Sequence, residues 1–239
     1  MPYTNPMKLS IILPCYNEAK NIPLILDSFS GLIENRNMDV ILVNNGSTDD
    51  SASVLEKYLP QYPFAKTVLV PVNKGYGFGI LEGLKASTGD FLGWTHADLQ
   101  TDPKDIIQAY DLLEKENWST KIFVKGDRIN RPLSDQAFTI GMGIFNSILF
   151  CMPLSEINAQ PNIFPRHFFE KWENPPIDYA IDLYAHLMSK KHELTIKRIS
   201  VYFPNRQFGI SSWNDGFKGK WNYIKRILKA SFRLKKDLR

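Results

Sequence analysis

The 239-residue sequence predicts an α/β protein in which a mostly parallel sheet is flanked by helices. Short apolar segments at residues 9–13, 40–43, 68–70 and 91–94 alternate with stretches of helical periodicity, which is typical of buried parallel strands. A polar cluster follows each segment, and ligands of such sheets bind beyond the carboxyl ends of the strands. The four clusters therefore predict one site at a single edge of the sheet.

The other elements follow from periodicity and from turn and capping residues. The Asp102-Pro103 pair predicts the start of a helix, because proline is tolerated in the first helical turn. In chain order, the predicted helices are Asn21–Ser30, 49–58 after a Ser47/Thr48 cap, 79–86, one from residue 102 and 178–189, and the later strands are 121–124 and 196–203.

Residues 136–155 contain no charged side chain and are long enough for a membrane span. Gly141, Gly143 and Pro153 interrupt this segment, and it lacks a dominant run of Leu, Ile or Val. We therefore expect an amphipathic helix that lies on the protein and at most touches a bilayer.

The C-terminal residues 213–239 form a strongly basic tail. They carry nine Lys and Arg against two Asp, a net charge of +7, which leaves −3 for the rest of a chain whose total is +4. Apolar residues recur at helical spacing from Trp221 to Phe232, so the tail (Trp213 to Arg239) predicts a basic amphipathic helix suited to an anionic membrane surface. Docking on the domain with a solvated polar face is the alternative. Nucleic acid is not an expected partner, because no binding motif accompanies the charge.

The two cysteines, Cys15 and Cys151, form neither a disulfide framework nor a metal-spaced cluster, and no secretory signal opens the sequence. We expect both thiols to be reduced and mostly buried, without a nucleophilic role for Cys15. These features indicate a cytoplasmic protein.

Two of the polar clusters carry the most specific chemistry. Asn44 and Asn45 precede Gly46, and their amides suit the edge of a nucleotide base; only one can face the pocket, and we expect Asn45. An Asn-Gly turn without a ligand is the alternative. His96 and Asp98 suit Mn²⁺ or Mg²⁺ and a diphosphate, although His96 is equally compatible with a hydrogen-bonded core residue.

The glycines after the third predicted strand do not form a dinucleotide fingerprint. Gly75, Gly77 and Gly79 lack the G-x-G-x-x-G spacing, and that pattern belongs after the first strand. The turn after the first strand has no glycine, which disfavours an NAD-dependent oxidoreductase. We expect the three glycines to allow close packing of a helix on the sheet.

Seven short motifs resemble, in order and spacing, those of the family 2 glycosyltransferases with the GT-A fold, which is Rossmann-like. The later motifs resemble the dolichol-phosphate mannosyltransferase branch, which acts on polyprenyl phosphates. Together they cover the chain from about residue 8 to 213. The motifs are Pro14-Cys15-Tyr16-Asn17-Glu18, Asn45-Gly46-Ser47-Thr48-Asp49, Asn73-Lys74-Gly75, Ala97-Asp98-Leu99-Gln100, Lys125-Gly126-Asp127-Arg128, residues 159–164 and residues 206–212.

The resemblance implies a role for each matching residue. Asp98 and Gln100 would hold a divalent cation, Mn²⁺ or Mg²⁺, and the diphosphate, and Asp98 would be catalytic. We expect His96 to be the second metal ligand, from the chemistry of its side chain. The remaining implied residues are Pro14, Tyr16, Glu18, Val43, Asn45, Asn73, Lys74, Ala97, Gln100 and Arg206 for the donor, and Arg128, Arg131, Gln160 and Ser211 for the acceptor.

The sequence departs from the family pattern at three places. Asn44 and Asn45 stand where aspartates are usual, and His96 replaces the first aspartate of D-x-D, which leaves one carboxylate for a metal. In the acceptor segment, Asn162 replaces a lysine or arginine near Glu156. These changes imply a different acceptor or reduced catalysis.

The reaction that the resemblance implies is an inverting transfer, in which an acceptor oxygen attacks the anomeric carbon as a nucleoside diphosphate leaves. We expect a UDP- or GDP-sugar as donor and a lipid-linked acceptor, with polyprenyl phosphate first and a growing surface glycan second. A glycan hydroxyl needs a base, and Asp178 and Asp182, four residues apart on a predicted helix, are the candidates. A solvated helix face is the alternative for this pair.

The expected organisation is a transferase domain at residues 1–212, with a nucleotide-binding half at 1–101 and an acceptor half at 102–212, followed by the tail at 213–239. We expect the protein to be peripheral to the inner face of a membrane. The rival hypothesis is a non-catalytic module of the same fold that binds a nucleotide-sugar or a membrane.

Overall fold

The structure is a computed structural model that describes residues 7–99, 101–202 and 216–238, with side chains in the last range described from residue 224. Within these residues, seven strands form one sheet. They are β1 (Leu9–Cys15), β2 (Met38–Asn45), β3 (Ala65–Val70), β4 (Phe91–Trp94), β5 (Ile122–Ile129), β6 (Asn162–Pro165) and β7 (Thr195–Tyr202).

The strand order is β3-β2-β1-β4-β6-β5-β7. Every pairing is parallel except those of β6, which runs antiparallel to both β4 and β5. The prediction of a mostly parallel sheet flanked by helices is confirmed. Strand β6 was not predicted, because four fully buried residues show no alternation that distinguishes a strand from a buried loop.

In the described part of the chain, eight α-helices cover the two faces of the sheet. They are α1 (Asn21–Ser30), α2 (Ser51–Tyr58), α3 (Tyr76–Ala86), α4 (Pro103–Lys115), α5 (Leu133–Phe150), α6 (Arg166–Phe169), α7 (Ile181–Lys191) and α8 (Gly216–Asp237), with a 3₁₀ turn at Leu59–Gln61. Helices α1, α2 and α4 bury their apolar residues on one face, around Ile25, Leu55 and Ile106. The other helices pack on the opposite face, around Ile80, Tyr184 and Leu234.

Helix α4 begins as predicted, because the Asp102 side chain accepts a hydrogen bond from the backbone N–H of Lys104 at 2.9 Å. Helix α2 begins two residues later than predicted. Asp49 lies outside it, since its carboxylate accepts hydrogen bonds from Ser51 and from the backbone of Ala19 and so holds the preceding turn. Strand β5 extends five residues beyond the prediction and therefore carries Arg128 on a strand.

The two cysteines differ in environment. Cys15 is buried, and its thiol donates a hydrogen bond to the Leu13 carbonyl at 3.4 Å. Burial raises the pKa of this thiol, and the negative charge of Glu18 raises it further. Cys151 is exposed at the end of α5, so the expectation of burial was wrong for this residue. It adopts a left-handed conformation (φ 54°) that ends the helix, a position where a side chain projects toward solvent.

Helix α5 occupies the uncharged segment and lies on the protein. Among the residues that the structure describes, no helix combines the length and apolarity that crossing a bilayer requires. Strands from both sides of residue 101 share one sheet. The division of the domain into a nucleotide-binding half and an acceptor half stays a prediction.

Candidate active site

The loops that follow β1 and β2 are tied together by short hydrogen bonds. The Thr48 N–H donates to Asn17 Oδ1 at 2.8 Å, and the Asn17 N–H donates to Ser47 Oγ at 3.1 Å. The Glu18 N–H donates to Ser51 Oγ at 3.0 Å. Tyr16 follows β1 at the carboxyl edge of the sheet and is 46% exposed, so its ring can contact a flat ligand.

The two asparagines at the end of β2 turn to opposite sides, as the strand geometry predicts. Asn44 Oδ1 accepts from the Ser47 N–H at 3.1 Å, whereas Asn45 Nδ2 donates to the Gly75 carbonyl at 3.0 Å. The Asn45 Oδ1 atom is buried and has no hydrogen-bond partner among the described residues. A Cβ atom on Gly79 would lie 2.9 Å from the Asn45 side chain. This glycine therefore permits the close helix packing that the sequence predicts.

Three other proposed donor residues lie around the same edge. Val43 is fully buried, and a Cβ on Gly83 would lie 2.8 Å from its side chain, so Val43 belongs to the core beneath α3. Asn73 is exposed and its side chain accepts from the Gly75 N–H at 2.9 Å. Lys74 is exposed, with its ammonium 4.9 Å from the centre of the Phe78 ring. Val43 thus supports the site, whereas the other two line its rim.

The segment after β4 brings His96 and Asp98 to the centre of this edge. Ala97 and Asp98 are buried, and Leu99 adopts φ 58°, which turns the chain sharply after the carboxylate. The His96 ring is stacked on that of Tyr76, with the ring centres 6.5 Å apart. Within the described ranges, no group of three or more His, Cys, Asp or Glu side chains could hold a metal. A cation bound here would therefore need further coordinating oxygen atoms from a bound small molecule or from water.

Asp182 is buried beside this segment, in the first turn of α7. Its Oδ1 atom accepts from Trp94 Nε1 at 3.2 Å and from Asn162 Nδ2 at 2.9 Å. Burial raises the pKa of Asp182, and the charges of Lys125 and His96 oppose that increase. Two hydrogen-bond donors thus hold the Asp182 carboxylate, which lies close enough to the His96 imidazole to interact with it electrostatically.

Lys125 supports Asp182 from inside the protein. Its fully buried ammonium donates to the carbonyls of Ile157 and Ala159, at 2.7 and 2.9 Å, and to Asn162 Oδ1 at 2.7 Å. Burial lowers the pKa of Lys125 to about 7, and Asp182 opposes this shift. Three acceptors match the three donors of an ammonium group, so the geometry favours the charged form. Sequence reasoning missed this role. The signal was the position of Lys125, which directly continues the apolar strand residues Ile122-Phe123-Val124 and is therefore placed to be buried.

Tyr76 links the donor edge to the acceptor segment. Its ring stacks on Tyr179 at 5.4 Å and 14°, and its hydroxyl accepts a hydrogen bond from Gln160 Nε2. Burial raises the pKa of Tyr76, and the negative charge of Asp182 raises it further. Tyr179 in turn lies 4.5 Å from the Arg226 guanidinium of α8. Neither tyrosine was among the predicted site residues, because only the tertiary structure stacks them.

Arg128 and Arg131 converge on one carboxylate. Arg128 Nε donates to Glu156 at 2.8 Å, and Arg131 Nη2 donates to the other Glu156 oxygen at 2.7 Å. Arg131 also donates to the Thr139 hydroxyl at 2.9 Å. The structure therefore brings together two of the predicted acceptor residues, with Gln160 nearby in the same segment. Gln100, Arg206 and Ser211 lie outside the described residues.

The two candidate bases are separated. Helix α7 begins at Ile181, not at residue 178, so Asp178 and Asp182 do not share a helical face and that prediction was wrong. The reason is local: Asp178 Oδ1 accepts from the Ala180 N–H at 3.1 Å in the turn that precedes the helix. Asp178 is also ion-paired at 2.8 Å with Arg233 of α8, whereas Asp182 lies in the site.

Amides, an exposed aromatic ring, a buried carboxylate and an imidazole thus meet beyond the carboxyl ends of β1, β2 and β4. In an α/β sheet this arrangement is typical of a nucleotide-binding site. Residues 10–152 match the sequence model of the family Glycosyl transferase family 2. The chain therefore belongs to that family. The resemblance inferred from the sequence is therefore confirmed.

Curated relatives extend the similarity beyond this segment. The chain is 33% identical over 224 residues to an undecaprenyl-phosphate 4-deoxy-4-formamido-L-arabinose transferase of Enterobacter sp. (strain 638), with 87% of the chain and 63% of the relative covered. It is 28% identical over 231 residues to the transferase of that name from Sodalis glossinidius, with 88% and 65% covered. The chain thus spans a little under two thirds of the length of these relatives.

Solved structures share the fold at low sequence identity. Glucosyl-3-phosphoglycerate synthase from Mycobacterium tuberculosis, solved with Mn²⁺, UDP and glucosyl-3-phosphoglycerate, matches with a TM-score of 0.71 at 18% identity, covering 96% of this chain and 80% of that one. A mannosyltransferase from Pyrobaculum calidifontis, solved with GDP-Man and Mn²⁺, matches with a TM-score of 0.65 at 19% identity, covering 88% and 60%. These matches establish the GT-A fold.

Proposed function

We propose that the chain transfers a sugar, with inversion, from a UDP- or GDP-sugar to a lipid-linked acceptor of the polyprenyl-phosphate type, at the cytoplasmic face of a membrane. The observation that carries this proposal is the convergence of His96, Asp98 and Asp182 around Tyr76, at the edge of the sheet where Tyr16 is exposed. The names of the curated relatives support the acceptor class. The ligands of the structural neighbours support the donor class.

A divalent cation fits this donor set under one condition. Asp98 and His96 would hold it, and the diphosphate and water would complete its oxygen ligands, as Mg²⁺ and Mn²⁺ sites with few carboxylates require. The cation would stabilise the negative charge that develops on the departing diphosphate. Exposed Lys74 lies on the rim of this edge and adds positive charge there.

Arg128 and Arg131 provide the acceptor side. Their guanidinium groups are suited to phosphate, and Glu156 holds them in place until a phosphate competes for the same donors. A polyprenyl phosphate already carries an anionic oxygen, so it needs no strong base. A glycan hydroxyl is the second candidate acceptor, favoured by the buried Asp182 carboxylate, whose raised pKa suits proton removal.

The donor class is tested by thermal unfolding with UDP, GDP, CDP, dTDP or NAD, each with Mn²⁺, Mg²⁺ or EDTA. A ligand that binds only the folded state stabilises it by about 2.7 kcal/mol at a hundredfold excess over its Kd. We expect one nucleoside diphosphate to raise the unfolding temperature, and only when a cation is present. Tight nucleotide binding without turnover would instead support the non-catalytic module, and no shift with any nucleotide would contradict the proposal.

Membrane attachment has support from two adjacent helices. On α5, Ile140, Ile144 and Ile148 are 60%, 56% and 74% exposed and follow helical spacing, so they form one outward apolar stripe. Helix α8 packs beside it, with the rings of Phe145 and Phe232 5.7 Å apart. The Lys235 ammonium of α8 lies 5.5 Å from the centre of the Phe150 ring at the end of α5, and α8 also carries exposed basic side chains. An apolar stripe beside basic residues suits an anionic bilayer surface.

Charge reversal at two exposed α8 residues tests this attachment. Lys229→Glu with Lys236→Glu is expected to reduce co-sedimentation with phosphatidylglycerol vesicles at least tenfold, since each basic residue near such a surface contributes about 1 kcal/mol. Lys104→Glu with Lys115→Glu is the matched control, because both residues are exposed on α4, across the sheet. Equal vesicle binding by the two double variants would contradict the assignment.

A further inference from the structure

A cavity of about 350 Å³ lies outside the site described above, between β7, α7 and the end of α5. Strand β7 is the edge of the sheet and is four strands away from β1, a separation of roughly 19 Å at the usual strand spacing. The cavity is therefore distinct from the loops proposed to hold the donor. None of the roles assigned so far uses it.

Three nitrogen-bearing side chains line this cavity, namely His186, Lys190 and Arg198, and the described residues of its wall include no carboxylate. His186 and Lys190 are four residues apart on α7 and so lie on one face of the helix. His186 is 1% exposed, and its Nδ1 atom has no hydrogen-bond partner among the described residues. A buried polar atom without a partner is costly, and a bound ligand is one way to satisfy it.

The charges around the cavity select the kind of ligand. Burial and the positive charges of Lys125, Arg198 and Lys190 lower the pKa of His186 to about 2, so this imidazole is neutral and can donate from Nδ1. Arg198 is held in position, because its guanidinium donates to the Gly126 carbonyl at 3.0 Å and to the Ser155 carbonyl at 2.8 Å. Two cations and a neutral donor facing one space favour an anion.

We propose that this cavity binds a small anion with a phosphate group, held by Lys190, Arg198 and His186 Nδ1. A free phosphorylated metabolite and the phosphate of a lipid headgroup share this chemistry. Occupation would be sensed at the active site, because His186 lies one turn after Asp182 on α7 and Arg198 binds Ser155, next to Glu156. The binding itself does not depend on the proposed transfer reaction.

Titration of the full chain with inorganic phosphate, followed by calorimetry and by the imidazole NMR signals, tests this site. We expect saturable binding that moves the His186 signal, and Lys190→Met should weaken the affinity at least tenfold. Lys191→Met is the matched control, because the neighbouring lysine is exposed and does not line the cavity. His186→Gln provides a second variant with a side chain of similar size, and it should also weaken binding.

Two further measurements separate this proposal from the others. Asp98→Asn should bind phosphate like the wild type, so a failure of the transferase assignment leaves this result unchanged. Vesicles with and without phosphatidic acid distinguish the sources: binding that needs both Lys190 and phosphatidic acid, without a response to free phosphate, assigns the cavity to a headgroup. Phosphate binding that is equal in Lys190→Met and Lys191→Met, or no response to either probe, would overturn the proposal.

Discussion

Replacing Asp98 with asparagine is expected to lower turnover by about 10²–10³-fold, with a smaller change in KM for the donor. Asp98 is the carboxylate at the centre of the sheet edge, and its chain position is set by the buried Ala97 and the left-handed Leu99. Asparagine keeps the size and one acceptor oxygen but removes the negative charge that a cation needs. Steady-state kinetics at saturating nucleotide-sugar, over a range of Mn²⁺ concentrations, measures the effect.

Asp102→Asn is the matched control for this substitution. Asp102 lies four residues further on, is exposed and caps α4, a task that asparagine performs equally well. We expect it to keep wild-type turnover and stability. The Asp98 variant should also lose any cation-dependent thermal shift with the nucleoside diphosphate while unfolding at the wild-type temperature without ligand. Wild-type turnover in Asp98→Asn would refute the site.

Replacing Lys125 with methionine is expected to lower the free energy of unfolding by about 3–5 kcal/mol. The substitution removes the donor from two buried carbonyls and from Asn162 Oδ1, and it leaves the Asp182 carboxylate without its buried positive neighbour. Each buried acceptor left unpaired costs free energy of its own. Urea unfolding monitored by tryptophan fluorescence measures this loss. Trp94 lies in the affected region, because its indole N–H donates a hydrogen bond to Asp182.

Two variants make this stability prediction specific. Lys121→Met removes an exposed lysine just before the same strand and should change stability by no more than about 0.5 kcal/mol. The double variant Lys125→Met/Asp182→Leu removes both buried charges and should lose less than the two single variants added together. Additive losses would show that Lys125 and Asp182 do not interact. A loss similar to that of Lys121→Met would show that the buried ammonium contributes little.

The acceptor half was harder to predict from the sequence than the donor half. Arg128, Arg131 and Gln160 were named by resemblance, and the structure brings the two arginines onto Glu156. The prediction that Asp178 and Asp182 share a helical face was wrong, because the Asp178 side chain accepts a hydrogen bond from the Ala180 N–H in a turn and α7 begins only at Ile181. Helical spacing between two carboxylates therefore predicts proximity only when the helix is known to include both.

The sequence by itself determined the parallel strands, the helices between them and the edge where Asn45, His96 and Asp98 gather. These features depend on periodicity and on turn residues close together in the chain, so local reasoning reaches them. Only the tertiary structure decided the antiparallel insertion of β6 between β4 and β5, and the chain of contacts from Lys125 through Asn162 to Asp182. These contacts join residues twenty to thirty-seven positions apart, and their energy depends on burial that no local pattern records.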